Sequence, residues 1–403
     1  MIVRKTARLN RGSAGYALVL SLCVWLGSTA AGWAQTATPP KPADLGLLQA
    51  AVSGDPELAL YALERGADLE IRAPGNETPL ILASRTGSLE VVELLLARGA
   101  DAAAASDDGW TALHYAAYAG HTPVARRLIQ SDAPLEARER DYGNTPLLLA
   151  ARRGERGIAA ALLDAGADLE ARDRRKGNTP LINAAFDPMA LSALAELLAR
   201  GARVDTAADD GLTPLIVAAS RNNLGGVELL LEAGAPLEAA EADGYTALLY
   251  AAEHGHAALA ARLLAADADP NRAAGRGESP LGRAALSGHL GVVQALLDVG
   301  ARLDQPGRNG YLPLHQAARG GHRGIVEHLL QQGADPDAPA VGNGNSALML
   351  AANLGYSDIV GVLIESGADV NARADDGWTA LQAAEMFGDP ATLAALEAAG
   401  ARE

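Results

Sequence analysis

Cysteine is almost missing from this chain of 403 residues: the only one is Cys23. That excludes a disulfide framework and a thiolate metal site over nearly the whole length. Aromatic residues are scarce as well, at 4% against 49% hydrophobic overall, so the apolar content is mostly small or aliphatic. Positive charge is in short supply, with 33 Lys and Arg facing 49 Asp and Glu, a formal net charge of −16. A surface that acidic repels nucleic-acid phosphates and anionic lipid headgroups within the screening distance, so no nucleic-acid partner is expected. The length exceeds what one core holds, which leaves either two or three domains or a repeat array. Small residues in abundance suit closely stacked short helices, and hence the array.

The first residues follow a different design. Arg4, Lys5, Arg8 and Arg11 precede the apolar stretch from Ala17 to Leu26, and small residues lead to Gly32-Trp33-Ala34 before Gln35. This three-part layout predicts a secretory signal peptide over 1–34, with cleavage before Gln35. The alternative is an uncleaved segment anchored in the inner membrane, although the stretch is short and broken by Gly and Ser. A lipoprotein signal at Cys23 fits less well, because the large Leu22 precedes it. Cleavage would remove four positive charges and no negative ones, taking the net charge to −20 and leaving no cysteine. The expected location is the periplasm of a Gram-negative cell, or the exterior, with no stable membrane span after cleavage.

Beyond a short linker at 35–42, two ladders run in register. Gly-Ala recurs at Gly66, Gly99, Gly166, Gly201, Gly234, Gly300, Gly333, Gly367 and Gly400, with Asp132-Ala133 and Asp267-Ala268 in the two vacant slots. Successive spacings are 33 to 35 residues. The second ladder runs from Thr78-Pro79-Leu80 through Thr145-Pro146-Leu147 to Thr379-Ala380-Leu381, varying to Ser279, Leu312 and Ser346 at its first position. A fixed period of this length marks a stack of supersecondary units, each unable to bury its apolar face alone.

The chain here resembles the ankyrin repeat family. Thr111-Ala112-Leu113-His114-Tyr115-Ala116-Ala117 followed by Gly120-His121 is similar to the family's pattern at nearly every element, and Gly255-His256, Gly288-His289 and Gly321-His322 match again. The resemblance covers 43–403. It implies an all-α solenoid of about eleven helix-turn-helix units with projecting hairpin-like turns. The units are placed near 43–73, 74–106, 107–140, 141–174, 175–208, 209–241, 242–274, 275–307, 308–341, 342–374 and 375–403. The first lacks the Thr-Pro-Leu element, as a terminal cap does.

Local chemistry agrees with this layout. Thr145 is placed to cap a first helix, with Pro146 at a position where a missing N–H costs nothing. Ala150 and Ala151 allow neighbouring helices to approach, and Gly154 ends the helix in a left-handed conformation. Val91, Val92, Leu94 and Leu95 form the apolar stripe of a second helix, terminated at Gly99. Asp132 and Asp267 replace the terminating glycine, which Asp tolerates better than most residues. Leu312 forfeits a cap worth about 1 kcal/mol. Phe186-Asp187-Pro188-Met189 replaces the inter-helix Gly-His, predicting a local distortion, and Glu385 in place of alanine fits a polar outer cap.

No catalytic residue, metal ligand set or cofactor is expected. His114, His121, His256, His289, His315 and His322 fall where the resemblance implies hydrogen bonding between turns and repeats. His254 and His256 lack a third metal ligand in sequence reach. Phosphate-loop and nucleophile-elbow motifs are absent, and the Asp-Asp-Gly turns lack the acidic spacing of an EF-hand. Little chain lies outside the array to form a catalytic domain.

The residue before each ladder position is informative. Trp110, Tyr245, Tyr311 and Trp378 stand there, whereas aromatic frequency beyond residue 34 gives about a third of one in ten positions. The resemblance puts these positions on the projecting turns beside a concave face. By the same resemblance, positions seven after each Thr, among them Tyr118, Arg152, Phe186 and Arg319, are expected to face the same groove. Aromatic and Arg side chains are the usual anchors of protein interfaces. Two readings stand: anchors for a partner protein, or rings that pack on neighbouring turns. The expected function is an exported, monomeric scaffold that binds a protein partner and is not an enzyme. The alternatives are a ligand pocket or enzyme site near Phe186, and a passive spacer.

Overall fold

A hydroxyl opens almost every repeat. Thr78, Thr111, Thr145, Thr179, Thr213, Thr246, Ser279, Ser346 and Thr379 each accept a hydrogen bond from the backbone N–H three residues on, at 3.1–3.4 Å. Each bond satisfies a donor that the first turn of a helix leaves free. Leu312 lacks that hydroxyl, and its own N–H instead donates to His315 Nδ1 at 3.3 Å. Thr145→Ala is expected to lower stability by about 1 kcal/mol, read as a shift of the urea midpoint at constant slope. A change below about 0.3 kcal/mol would show that the cap is not needed in a packed repeat.

The computed structural model describes residues 40–387 and 389–402. The signal-peptide expectation for 1–34, and most of the linker at 35–42, lie outside the described residues. Among these, twenty-two α-helices follow one another in eleven pairs, from Pro42–Ser53 with Pro56–Glu64 to Ala380–Phe387 with Pro390–Ala398. The fold is all-α, an ankyrin-type solenoid of about eleven repeats. The chain divides into two compact units: one runs to Ala184 and takes in Ser192–Ala202, the other comprises Ala185–Leu191 and Arg203–Glu403.

Within the first unit, first helices stack on first helices, as Pro79–Thr86 on Ala112–Ala119 and that on Pro146–Arg153; second helices stack on second helices. Ala116, Ala117, Ala150 and Ala151 are fully buried, which lets these helices lie close. Val91, Val92 and Leu95 are fully buried, while Leu94 is only half-buried at the edge of the stripe. The second unit repeats the scheme, with Ala247–His254 on Pro280–Ser287 and that on Pro313–Gly320.

Successive projecting turns are joined by backbone hydrogen bonds, Arg140 N–H to Asp108 O at 2.8 Å in the first unit and Val341 N–H to Gly310 O at 2.9 Å in the second. Asp132 and Asp267 adopt positive φ, 58° and 69°, as their place in the glycine ladder requires. The distortion expected at Phe186 is present. Helix Pro180–Ala185 stops after six residues, and a 3₁₀ turn over Pro188–Ala190, capped by the Asp187 side chain on Met189 N–H, leads into Leu191–Ala199. Glu385 is exposed, in keeping with an outer cap.

Candidate partner-binding surface

Trp110 sits at the end of a projecting turn, where its backbone N–H donates to the Ser106 hydroxyl at 3.1 Å. Half-buried, its ring meets two others from the helix it introduces: Tyr115 at 4.9 Å and, edge-on, Tyr118 at 5.6 Å. Arg85 lies 5.8 Å over Tyr115 and Arg153 lies 5.0 Å over Tyr118, so cations from both adjacent repeats flank the cluster. Tyr118 is 48% exposed, a large amphipathic side chain held in place yet open to solvent. Burial, followed by the negative charge of Glu77 and a hydrogen bond to it, pushes the Tyr115 phenol up to about 12. The phenol therefore stays a neutral donor at any physiological pH.

In the second unit Tyr245 and Tyr250 form a similar pair, ring centres 5.3 Å apart, with His254 stacked on Tyr250 at 6.1 Å. Burial raises both phenols above their ordinary range, and Glu241 and Glu253 add to the rise. A pocket of about 260 Å³ opens here, walled by both tyrosines, Glu241, Asp243, Glu253, Glu278 and Arg276. Tyr311 stacks on His315 at 5.9 Å, with Arg319 at 6.0 Å over its ring.

The structure thus brings Trp110 to Tyr118 and Tyr311 to Arg319. Tyr245 finds its partner in Tyr250. Phe186 is half-buried under Arg221 at 5.3 Å. Arg152 is exposed, and Trp378 is half-buried, its N–H bonded to Asp376 at 3.1 Å. Sequence reasoning missed Tyr115 and Tyr250. Both stand four residues after a ladder threonine, so scanning that register for rings would have found them. The turn-edge rings of Trp110 and Tyr245 pack on rings of their own repeat rather than on the neighbouring turn.

The histidines act as staples. Nε2 of His121, His289 and His322 meets the carbonyls of Arg85, Glu253 and Leu286 at 3.0–3.2 Å, in the last turn of the preceding repeat's first helix, where carbonyls lack helical donors. His114 and His315 instead reach forward, to Asn144 O at 3.1 Å and Asn345 O at 2.9 Å. Among the described residues no three His, Cys, Asp or Glu side chains are grouped to hold a metal, and no helix is long and apolar enough to cross a membrane.

Family models for ankyrin repeats match residues 47–139, 99–173, 181–274, 259–340 and 343–375. Curated relatives match over shorter stretches. A mouse B-cell lymphoma 3 protein homolog is 40% identical over 82 residues, 20% of this chain and 18% of its own length. A Notch-regulated ankyrin repeat-containing protein of Xenopus tropicalis is 46% identical over 56 residues, 14% of this chain and 49% of its own. A Caenorhabditis elegans homolog of transient receptor potential cation channel subfamily A member 1 is 34% identical over 92 residues, 23% of this chain and 8% of its own. The chain thus spans half or less of each of these relatives.

Proposed function

Because this chain belongs to the ankyrin repeat family, whose members serve as protein-binding scaffolds, we propose that it binds a partner protein through its turn edge and the adjoining first-helix face. One observation carries the reading: the Trp110, Tyr115 and Tyr118 cluster, flanked by Arg85 and Arg153, holds rigid rings and cations at an exposed rim. Rings fixed by their neighbours lose little conformational freedom on binding, so their area converts well into affinity. The Tyr245 and Tyr311 groups offer the same chemistry in the second unit. A binding module agrees better with these features than an enzyme or a passive spacer.

The test is capture of partner protein by the immobilised chain. Alanine at Trp110, Tyr245, Tyr311 and Trp378 together should lower capture at least about thirtyfold, roughly 2 kcal/mol, with the helical circular dichroism unchanged. Tyr118→Ala, at an exposed position, should weaken capture while costing at most about 1 kcal/mol of stability. Full capture by the fourfold variant would sink the assignment.

The reading extends to export. Residues 1–34 have the composition of a secretory signal, and a periplasmic or secreted scaffold would begin at Gln35. Mass spectrometry of the chain recovered from an exporting Gram-negative host should find that N-terminus; a retained Met1 would overturn it.

A further inference from the structure

In repeat after repeat, the third residue beyond the capping hydroxyl carries a large side chain into the interior. Ile81, His114, Leu148, Ile216, Leu249 and Met349 all do so with buried side chains. Gly282 takes this place in its repeat and brings none. A Cβ there would meet only the Ser279 hydroxyl, so the room that its counterparts occupy stays open. Gly307, which likewise brings no side chain, borders the same space. The result is a pocket of about 400 Å³ bordered by Glu278, Arg283, Arg308, Gln316 and Arg319.

Its charge is unusual for this chain. Arg283 is ion-paired with Glu253, but among the described residues no carboxylate pairs with the exposed Arg308 or Arg319. Glu278 offsets one of the three guanidinium groups and Glu253 another, which leaves one positive charge uncompensated in a chain of net charge −16. Gln316, only 9% exposed, stands in the same wall with its Oε1 lacking a hydrogen-bond partner.

We propose that this pocket receives a glutamate or aspartate side chain of the bound protein. The carboxylate lies against the guanidinium groups of Arg308 and Arg319, whose planar forks suit it, and a backbone N–H of the same segment donates to Gln316 Oε1. One surplus positive charge matches a single carboxylate better than a phosphate dianion. The inference rests on the protein-binding reading and deepens it by naming the chemistry of one partner contact.

The test needs no partner. N-acetyl-glutamate N-methylamide, its glutamine counterpart and inorganic phosphate are titrated into the full chain, with arginine side-chain N–H resonances as the readout. The glutamate probe should give saturable shifts at Arg308 and Arg319, with the glutamine probe about tenfold weaker or more. Gly282→Leu, which restores what Leu148 and Leu249 supply elsewhere, should abolish the response while the melting temperature is kept or raised. Absence of saturable shifts, an equal response to the glutamine probe, or an undiminished response in Gly282→Leu would overturn the proposal. Tighter binding of phosphate than of the glutamate probe would also overturn it, since that marks a general anion site. Failure here leaves the aromatic rim untouched, because capture by the fourfold aromatic variant is scored separately.

Discussion

Leu162→Ala is expected to destabilise the chain by about 2–5 kcal/mol, toward the upper end of that range. Leu162 is fully buried in helix Arg156–Asp164, alongside Ile158 and Ala159. That helix packs on Thr122–Ile129 of the preceding repeat. Truncation removes buried apolar atoms and leaves a void that helices fixed by their own stacking cannot close. In a stack stabilised by nearest neighbours, the loss should concentrate locally. Hydrogen exchange should show protection falling mainly within repeats 107–208, with much smaller changes beyond residue 308. Leu60→Ala, at a position already 38% exposed, should cost under about 1 kcal/mol. A uniform loss along the chain, or equal effects of the two substitutions, would contradict the nearest-neighbour account.

Stability should also fall steeply as pH drops from 6.5 to about 4, and His114 should be a principal cause. Burial lowers its pKa from 6.5 to about 4, outweighing the hydrogen bond to Asn144 O and the charge of Glu139, which act the other way. Above pH 6.5 the ring is neutral in folded and unfolded chains alike, so the full stability is present. Between the two values only the unfolded chain takes up the proton, and below about 4 the loss is complete, at roughly 3 kcal/mol. His315 is lowered by burial in the same way and adds to the slope. His114→Leu places at this position the residue found at Leu148 and Leu249. Urea midpoints collected across that pH range should therefore fall less steeply for the variant than for the parent. Parallel curves would show that His114 is not the titrating group.

Much of the architecture was legible because its causes are local. The threonine cap, the proline one residue later and the left-handed residue that closes most of the described helices act within a few positions of each other. Their recurrence therefore announces helices, turns and period together. Even the exceptions read correctly: Asp132 and Asp267 take the glycine conformation, and the Phe186 segment breaks its helix. Leu94 was placed in the buried stripe because helical spacing cannot tell its edge from its centre.

The candidate surface was legible only in outline. The turn-edge position of Trp110 and Tyr245 follows from the register, but their ring partners Tyr115 and Tyr250 emerge only where turn and helix fold against each other. Glu139 makes the same point. Nothing in its neighbourhood marks a buried carboxylate, yet it is 2% exposed because the N–H groups of Asp141, Tyr142 and Asn144 turn inward to meet it.

The sequence by itself determined the repeat, its period and where its helices open and close, since each depends on contacts between residues close along the chain. Tertiary structure alone decided which rings meet, which carbonyl each histidine staples, and that Gly282 leaves an open, cation-lined pocket. Those outcomes depend on what a repeat some thirty residues away supplies or withholds. A missing side chain becomes a site only when its neighbours are in place around it.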